Sequence, residues 1–97
     1  MKKLGSSNWK VTYHSSVVKQ DIPKLGKAEA LRIRRAIERK LITDPALYGV
    51  PLRGSLKQLW KFRVGDWRTV FMIAGNEIRV LVIAHRKEVY DIAEKRR

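Results

Sequence analysis

With 97 residues the chain is long enough for one domain with one modest core, and its lack of cysteine excludes a disulfide framework or a thiolate metal site. Twenty-two Lys and Arg stand against nine Asp and Glu, a net charge of +13 that repels itself in a compact fold and implies a polyanionic partner. An apolar fraction of 44% argues against general disorder, and no apolar run approaches the roughly 18 residues of a membrane span.

The leading MKKLGSSNWK carries charge but no apolar stretch, so it does not read as a secretory signal; with the missing cysteines, this points to the reducing cytoplasm. Two histidines argue against a zinc centre, and neither metal nor cofactor is expected. No repeat or linker divides the chain, so 1–97 reads as one domain with residues 1–7 as a flexible leader. Trp9–Tyr13 alternates apolar and polar residues, the period of a strand. Ser15 or Ser16 can cap a short helix whose apolar positions are Val18, Ile22 and Leu25, with Pro23 kinking it or opening a fresh turn. After Gly26, the stretch 27–42 predicts the longest helix, with Ala30, Ile33, Ile37 and Leu41 buried and Arg32, Arg35, Arg39 and Lys40 largely exposed. Asp44-Pro45 ends it, and a Gly/Pro-rich loop follows.

Residues 59–64, 67–74 and 77–85 predict three strands joined by Gly65-Asp66 and Gly75-Asn76, both suited to type II′ hairpin turns. A short helix from about Glu88 closes the chain, and Lys95-Arg96-Arg97 reads as a frayed basic tail. The order is β-α-α-β-β-β-α: an α+β fold with a small antiparallel sheet, covered on one face by the two N-terminal helices. The first hairpin sets Val64 opposite Trp67 and Arg63 opposite Arg68, so Lys61, Arg63 and Arg68 share one face. Trp60, Phe62, Val64, Trp67, Phe71 and Ile73 take the core face. Continued through the second hairpin, the register puts Arg68 opposite Ile83 and His85 on the cationic side. Like charges directly opposed across strands destabilise a sheet, which favours an anion bound between them. The plain alternative is a solvated face dotted with basic residues.

Three segments carry a family resemblance: Leu52-Arg53-Gly54; Leu59 to Phe71, with its K-x-R-V-G-D-W-R core; and Ala84-His85-Arg86-Lys87-Glu88-Val89-Tyr90. Together they resemble the RelE/ParE superfamily of toxin–antitoxin toxins, over nearly the whole chain. The RelE branch implies a ribosome-dependent endoribonuclease acting on mRNA; the ParE branch implies inhibition of DNA gyrase without nuclease chemistry. Both imply a cognate antitoxin, here expected to be acidic, and the RelE branch is favoured. Carried over residue by residue, that branch implies a catalytic set of Lys61, Arg63, Arg68, Arg86 and Tyr90. The implied reaction is attack of a ribose 2′-OH on the adjacent phosphate, metal-independent, with arginines holding the phosphorane charge. Some relatives carry lysine where this chain has Arg63, which arginine cannot replace in proton transfer; more weight then falls on Lys61, His85 and Tyr90.

RNA contacts are expected from Arg32, Arg35, Arg39 and Lys40 on the long helix and from Arg53 and Lys57 in the loop. Structural alternatives stand beside these roles. His85 could be a solvated strand end, Tyr90 could pack the last helix, and Arg86 could be a helix-start surface charge. Trp67 is assigned to packing rather than base stacking, and the helix arginines could simply solvate that helix.

Overall fold

The computed structural model describes residues 9–97, and the leader expected at residues 1–7 lies outside them. Strand β1 (Lys10–Tyr13) leads into a widened i→i+5 turn at Val17–Asp21 and then helix α1 (Ile22–Ala36). A second widened segment, Ile37–Leu41, extends α1. Pro23 lies in the first turn of α1, directly after the widened segment, and so opens a fresh turn as expected. A further break falls at Gly26, whose φ of +79° is not helical. Val17, Asp21 and Leu25 form the buried stripe here, whereas Val18 is 55% exposed and Ile22 only half-buried. The expected stripe of Val18, Ile22 and Leu25 was thus out of phase, because a charged residue occupies a core-facing position.

Where a Gly/Pro-rich loop was expected, Asp44 caps a one-turn helix, α2 (Pro45–Tyr48), by accepting from the Leu47 N–H at 3.2 Å. The two-residue strand β2 (Val50–Pro51) and a 3₁₀ turn (Gly54–Leu56) follow. The meander is β3 (Trp60–Val64), β4 (Trp67–Ala74) and β5 (Glu77–His85), and helix α3 (Val89–Arg96) ends the chain. Gly65 and Gly75 both have φ of +61° while the residues after them do not, the combination of a type II′ turn.

The sheet order is β1-β5-β4-β3-β2, and the α+β class holds, with β2 as a strand beyond the four expected. The meander is antiparallel, but β1 runs parallel to β5, so the sheet is mixed. The intervening helices form a crossover long enough for parallel pairing, a geometry that no hairpin dictates. The first hairpin has the expected register, with Arg63 opposite Arg68 and Val64 opposite Trp67. The second hairpin does not: a bulge pairs Phe71 with Val80 but Val70 with Val82. Arg68 therefore faces Ala84 rather than Ile83, and His85 faces Trp67.

Two cores result. In the first, Leu25, Ile33, Ile37 and Leu41 pack on Phe62, Phe71, Val80 and Ile83, with Trp60, Trp67 and Ile73 at its border. In the second, Val89 and Ala93 of α3 pack on Leu59, Val70, Val82 and Ala84. The helices therefore divide between the faces: α1 covers one, and α3 covers part of the other.

Candidate functional site

Lys61 and Arg63 stand on β3 and Arg68 on β4, all on the face that α3 partly covers. Alternation along the strands puts them on the side of Leu59 and Val70, opposite Phe62 and Phe71. Arg63 and Arg68 are direct cross-strand partners. The Arg68 guanidinium curls over the hairpin, its Nη1 donating to the carbonyls of Gly65 at 2.9 Å and Trp67 at 3.0 Å. The backbone N–H of Arg86 donates to the Asp66 carbonyl at 2.9 Å, so the turn before α3 is tied to the same hairpin tip. One turn later Tyr90 lies half-buried against the second core, and the Lys61 ammonium sits 6.0 Å from the centroid of its ring. The fold thus pairs Arg63 with Arg68, sets Tyr90 beside Lys61 and ties the Arg86 backbone to the same hairpin.

The electrostatics of this end are one-sided. Among the described residues, ion pairs join Glu29 to Arg32, Glu38 to Arg34, Glu77 to Arg79 and Asp21 to Arg96. None involves Lys61, Arg63, Arg68 or Arg86. Cations outside these ion pairs, two of them opposed across a ladder, give this end a positive charge that a phosphodiester would neutralise.

His85 is not part of that group. The bulge turns it to the α1 side, where its ring meets Trp67 edge-on with centroids 5.8 Å apart, and its Nδ1 accepts from the Lys87 N–H at 3.3 Å. Arg35, Arg39 and Lys40 are exposed along α1 and its extension, as expected, while Arg53 and Lys57 are exposed beside the 3₁₀ turn. Arg32 does more than face solvent: its guanidinium lies against Gly65 at the hairpin tip and pairs with Glu29 at 3.7 Å. Trp67 donates its indole N–H to the same Glu29 at 2.5 Å.

The basic tail is ordered by contacts rather than frayed. Arg96 pairs with buried Asp21 at 2.7 Å; Arg97 donates to the carbonyls of Ser55 and Lys57, and Ser55 donates to Glu94 at 2.6 Å. Sequence reasoning missed the roles of Asp21, Glu29 and Arg96. One signal was available for Asp21, which lies four residues from both Val17 and Leu25 on a core-facing stripe.

A groove of about 590 Å³ lies away from the cationic end, between β1 and the helices, lined by Val11, Tyr13, Leu31 and Arg34 among others. Burial, reinforced by Glu38, raises the pKa of the Tyr13 hydroxyl there, with Arg34 opposing the shift.

A family model described as the ParE toxin of the type II toxin–antitoxin system parDE matches residues 15–90. The chain belongs to the ParE toxin family, within the RelE/ParE superfamily. The matched span runs from the first helical segment through Tyr90, and so includes every residue of the cationic end. The toxin's fold is also similar to that of a chain in the structure of the RelBE2 toxin–antitoxin complex from Mycobacterium tuberculosis. The two align with a TM-score of 0.74 and 22% identity, over 80% of this chain and 98% of that one. A conserved hypothetical protein from Helicobacter pylori aligns with a TM-score of 0.57 and 15% identity, over 81% of this chain and 96% of that one. No curated protein sequence matches the toxin. No helix among its described residues is long and apolar enough to cross a membrane.

Proposed function

We propose that this toxin is an endoribonuclease that stops translation by cutting mRNA on the ribosome, and that an acidic antitoxin restrains it. One observation carries the reading: Arg63 and Arg68 oppose each other across the hairpin, with Lys61 on the same face and, among the described residues, no carboxylate paired to any of them. An RNA phosphate supplies the missing negative charge. In the reaction a ribose 2′-oxygen forms a bond to the adjacent phosphorus while the bond to the 5′-oxygen breaks, leaving a 2′,3′-cyclic phosphate and a 5′-hydroxyl. Arg68 and Arg86 hold the charge that builds on the phosphorane oxygens. Lys61 and Tyr90, neighbours across the sheet–helix junction, remove the proton from the 2′-hydroxyl and return one to the leaving oxygen. The antitoxin is supported by family membership and by the net charge of +13, which favours an acidic partner.

The match to a ParE model favours a second reading, inhibition of DNA gyrase without RNA cleavage. Brief induction in cells separates the two. The nuclease reading expects mRNA cut within codons, with 2′,3′-cyclic phosphate ends that vanish in Arg68→Ala. Intact mRNA with loss of negative supercoiling would replace it with the gyrase reading.

A further inference from the structure

The hairpin tip is gripped from both sides. On the sheet face, Arg68 bonds the carbonyls of Gly65 and Trp67, and the Arg86 N–H bonds that of Asp66. From α1, Glu29 accepts the Trp67 indole N–H at 2.5 Å and pairs with Arg32 at 3.7 Å. The Arg32 guanidinium lies so close to Gly65 that a Cβ there would sit 3.0 Å from Nη2 and 3.1 Å from Nη1. Glycine suits this position by its φ of +61°, and a Cβ there would also have to push aside the exposed end of Arg32. Gly65 and Trp67, whose carbonyls Arg68 holds, are therefore also the residues that Arg32 and Glu29 contact, on either side of the Asp66 carbonyl bound by Arg86.

We propose that Glu29 and Arg32 are positioning residues, a clamp on the Gly65–Trp67 tip that sets where Arg68 and Arg86 meet a bound phosphodiester. This rests on reading the sheet face as an RNA site, and it removes Arg32 from the set of direct RNA contacts. Simple charge and the clamp predict opposite signs. Deleting a carboxylate from a protein of net charge +13 should tighten RNA binding by charge alone. If Glu29 is a clamp, its deletion loosens the tip and weakens binding.

The test is fluorescence anisotropy of a short single-stranded RNA titrated with the purified full chain and its variants over a salt series. Glu29→Ala is expected to weaken binding about threefold to tenfold, the lower part of the range for coupled neighbours. Glu29→Gln keeps an acceptor for the indole and recovers most of the loss, whereas Trp67→Phe, which lacks the N–H, reproduces it. In an Arg68→Ala background, Glu29→Ala adds little. Arg32→Ala leaves the slope of log affinity against log salt unchanged, whereas a lost phosphate contact would reduce it by about 0.7. If Glu29→Ala fails to fold, the Glu29→Gln and Trp67→Phe pair makes the same comparison. Unchanged or tighter binding in Glu29→Ala, or a slope reduced by a full contact in Arg32→Ala, overturns the clamp and leaves the RNA site standing. Wild-type binding by Arg68→Ala overturns the RNA site, and the clamp with it.

Discussion

The Asp21 carboxylate receives both arms of the Arg96 guanidinium, at 2.7 and 2.9 Å, and also accepts the backbone N–H of Ile83 at 2.9 Å. Arg96 donates in addition to the Leu81 carbonyl at 3.1 Å. The β1 ladder reaches β5 only as far as Val80, where the His14 N–H makes its last bond. Beyond it, at the bulge, two side chains supply the bonds that a longer β1 would have made. The same pair fastens α3 to the segment before α1, and so holds the helix that bears Tyr90.

Breaking that pair should be costly. The two side chains are 4% and 11% exposed, so solvent screens them little, and deleting one leaves the other charge buried. Asp21→Ala is expected to lower stability by about 3–5 kcal/mol, seen as a reduced urea midpoint. An Asp21→Leu/Arg96→Met double variant should lose less than either single change. A double loss as large as the summed single losses would show that the two residues act independently.

Arg63 and Arg68 should trade stability for function. Direct opposition of like charges costs a sheet about 0.2–1 kcal/mol, so Arg63→Thr is expected to stabilise the free toxin by that order while reducing its toxicity. Paired denaturation and growth assays read both effects. Lower stability in Arg63→Thr would mean that the opposed guanidinium groups do not strain the free fold.

Arg68→Ala and Arg86→Ala should each lower RNA cleavage on the order of 10²–10³-fold, the scale of losing one donor to a developing oxyanion. Tyr90→Phe keeps the ring against Lys61 and the second core, so its effect should be milder than that of Tyr90→Ala. The check is single-turnover cleavage on programmed ribosomes, with thermal melts confirming that each variant folds. Equal loss in Tyr90→Phe and Tyr90→Ala would assign the role to the hydroxyl alone.

Acid stability has a local contributor where β1 meets β5. The Thr12 hydroxyl and the Arg79 guanidinium both donate to Glu77 and hold its carboxyl below the usual range. A depressed carboxyl stabilises the fold above its unfolded pKa, and that contribution disappears as the pH falls through the folded value. Thr12→Val should therefore move the Glu77 titration upward, measured by carboxyl-carbon NMR, and flatten the acid limb of the stability curve. An unmoved titration would assign the shift to Arg79.

How far the sequence reaches depends on how local each determinant is. Lys61, Arg63 and Arg68 could be placed on one face because a Gly-first two-residue turn dictates the pairing beside it, and strand alternation carries it along the hairpin. The stripe of Ile33, Ile37 and Leu41 and the end of the long helix at Asp44 were legible for the same reason. The bulge was not. An extra residue in β5 has no signature between Val80 and Val82, and it moved His85 from the side of Arg68 to the side of Trp67. Tertiary packing alone could decide that β1 runs parallel to β5, since no turn links them, and that α3 covers the second face. It also decided the partners of charged side chains distant in sequence. Composition counts 31 charged residues, but only the folded chain brings Asp21 to Arg96, leaves Glu29 between Trp67 and Arg32, and, among the described residues, leaves Lys61, Arg63 and Arg68 outside every ion pair.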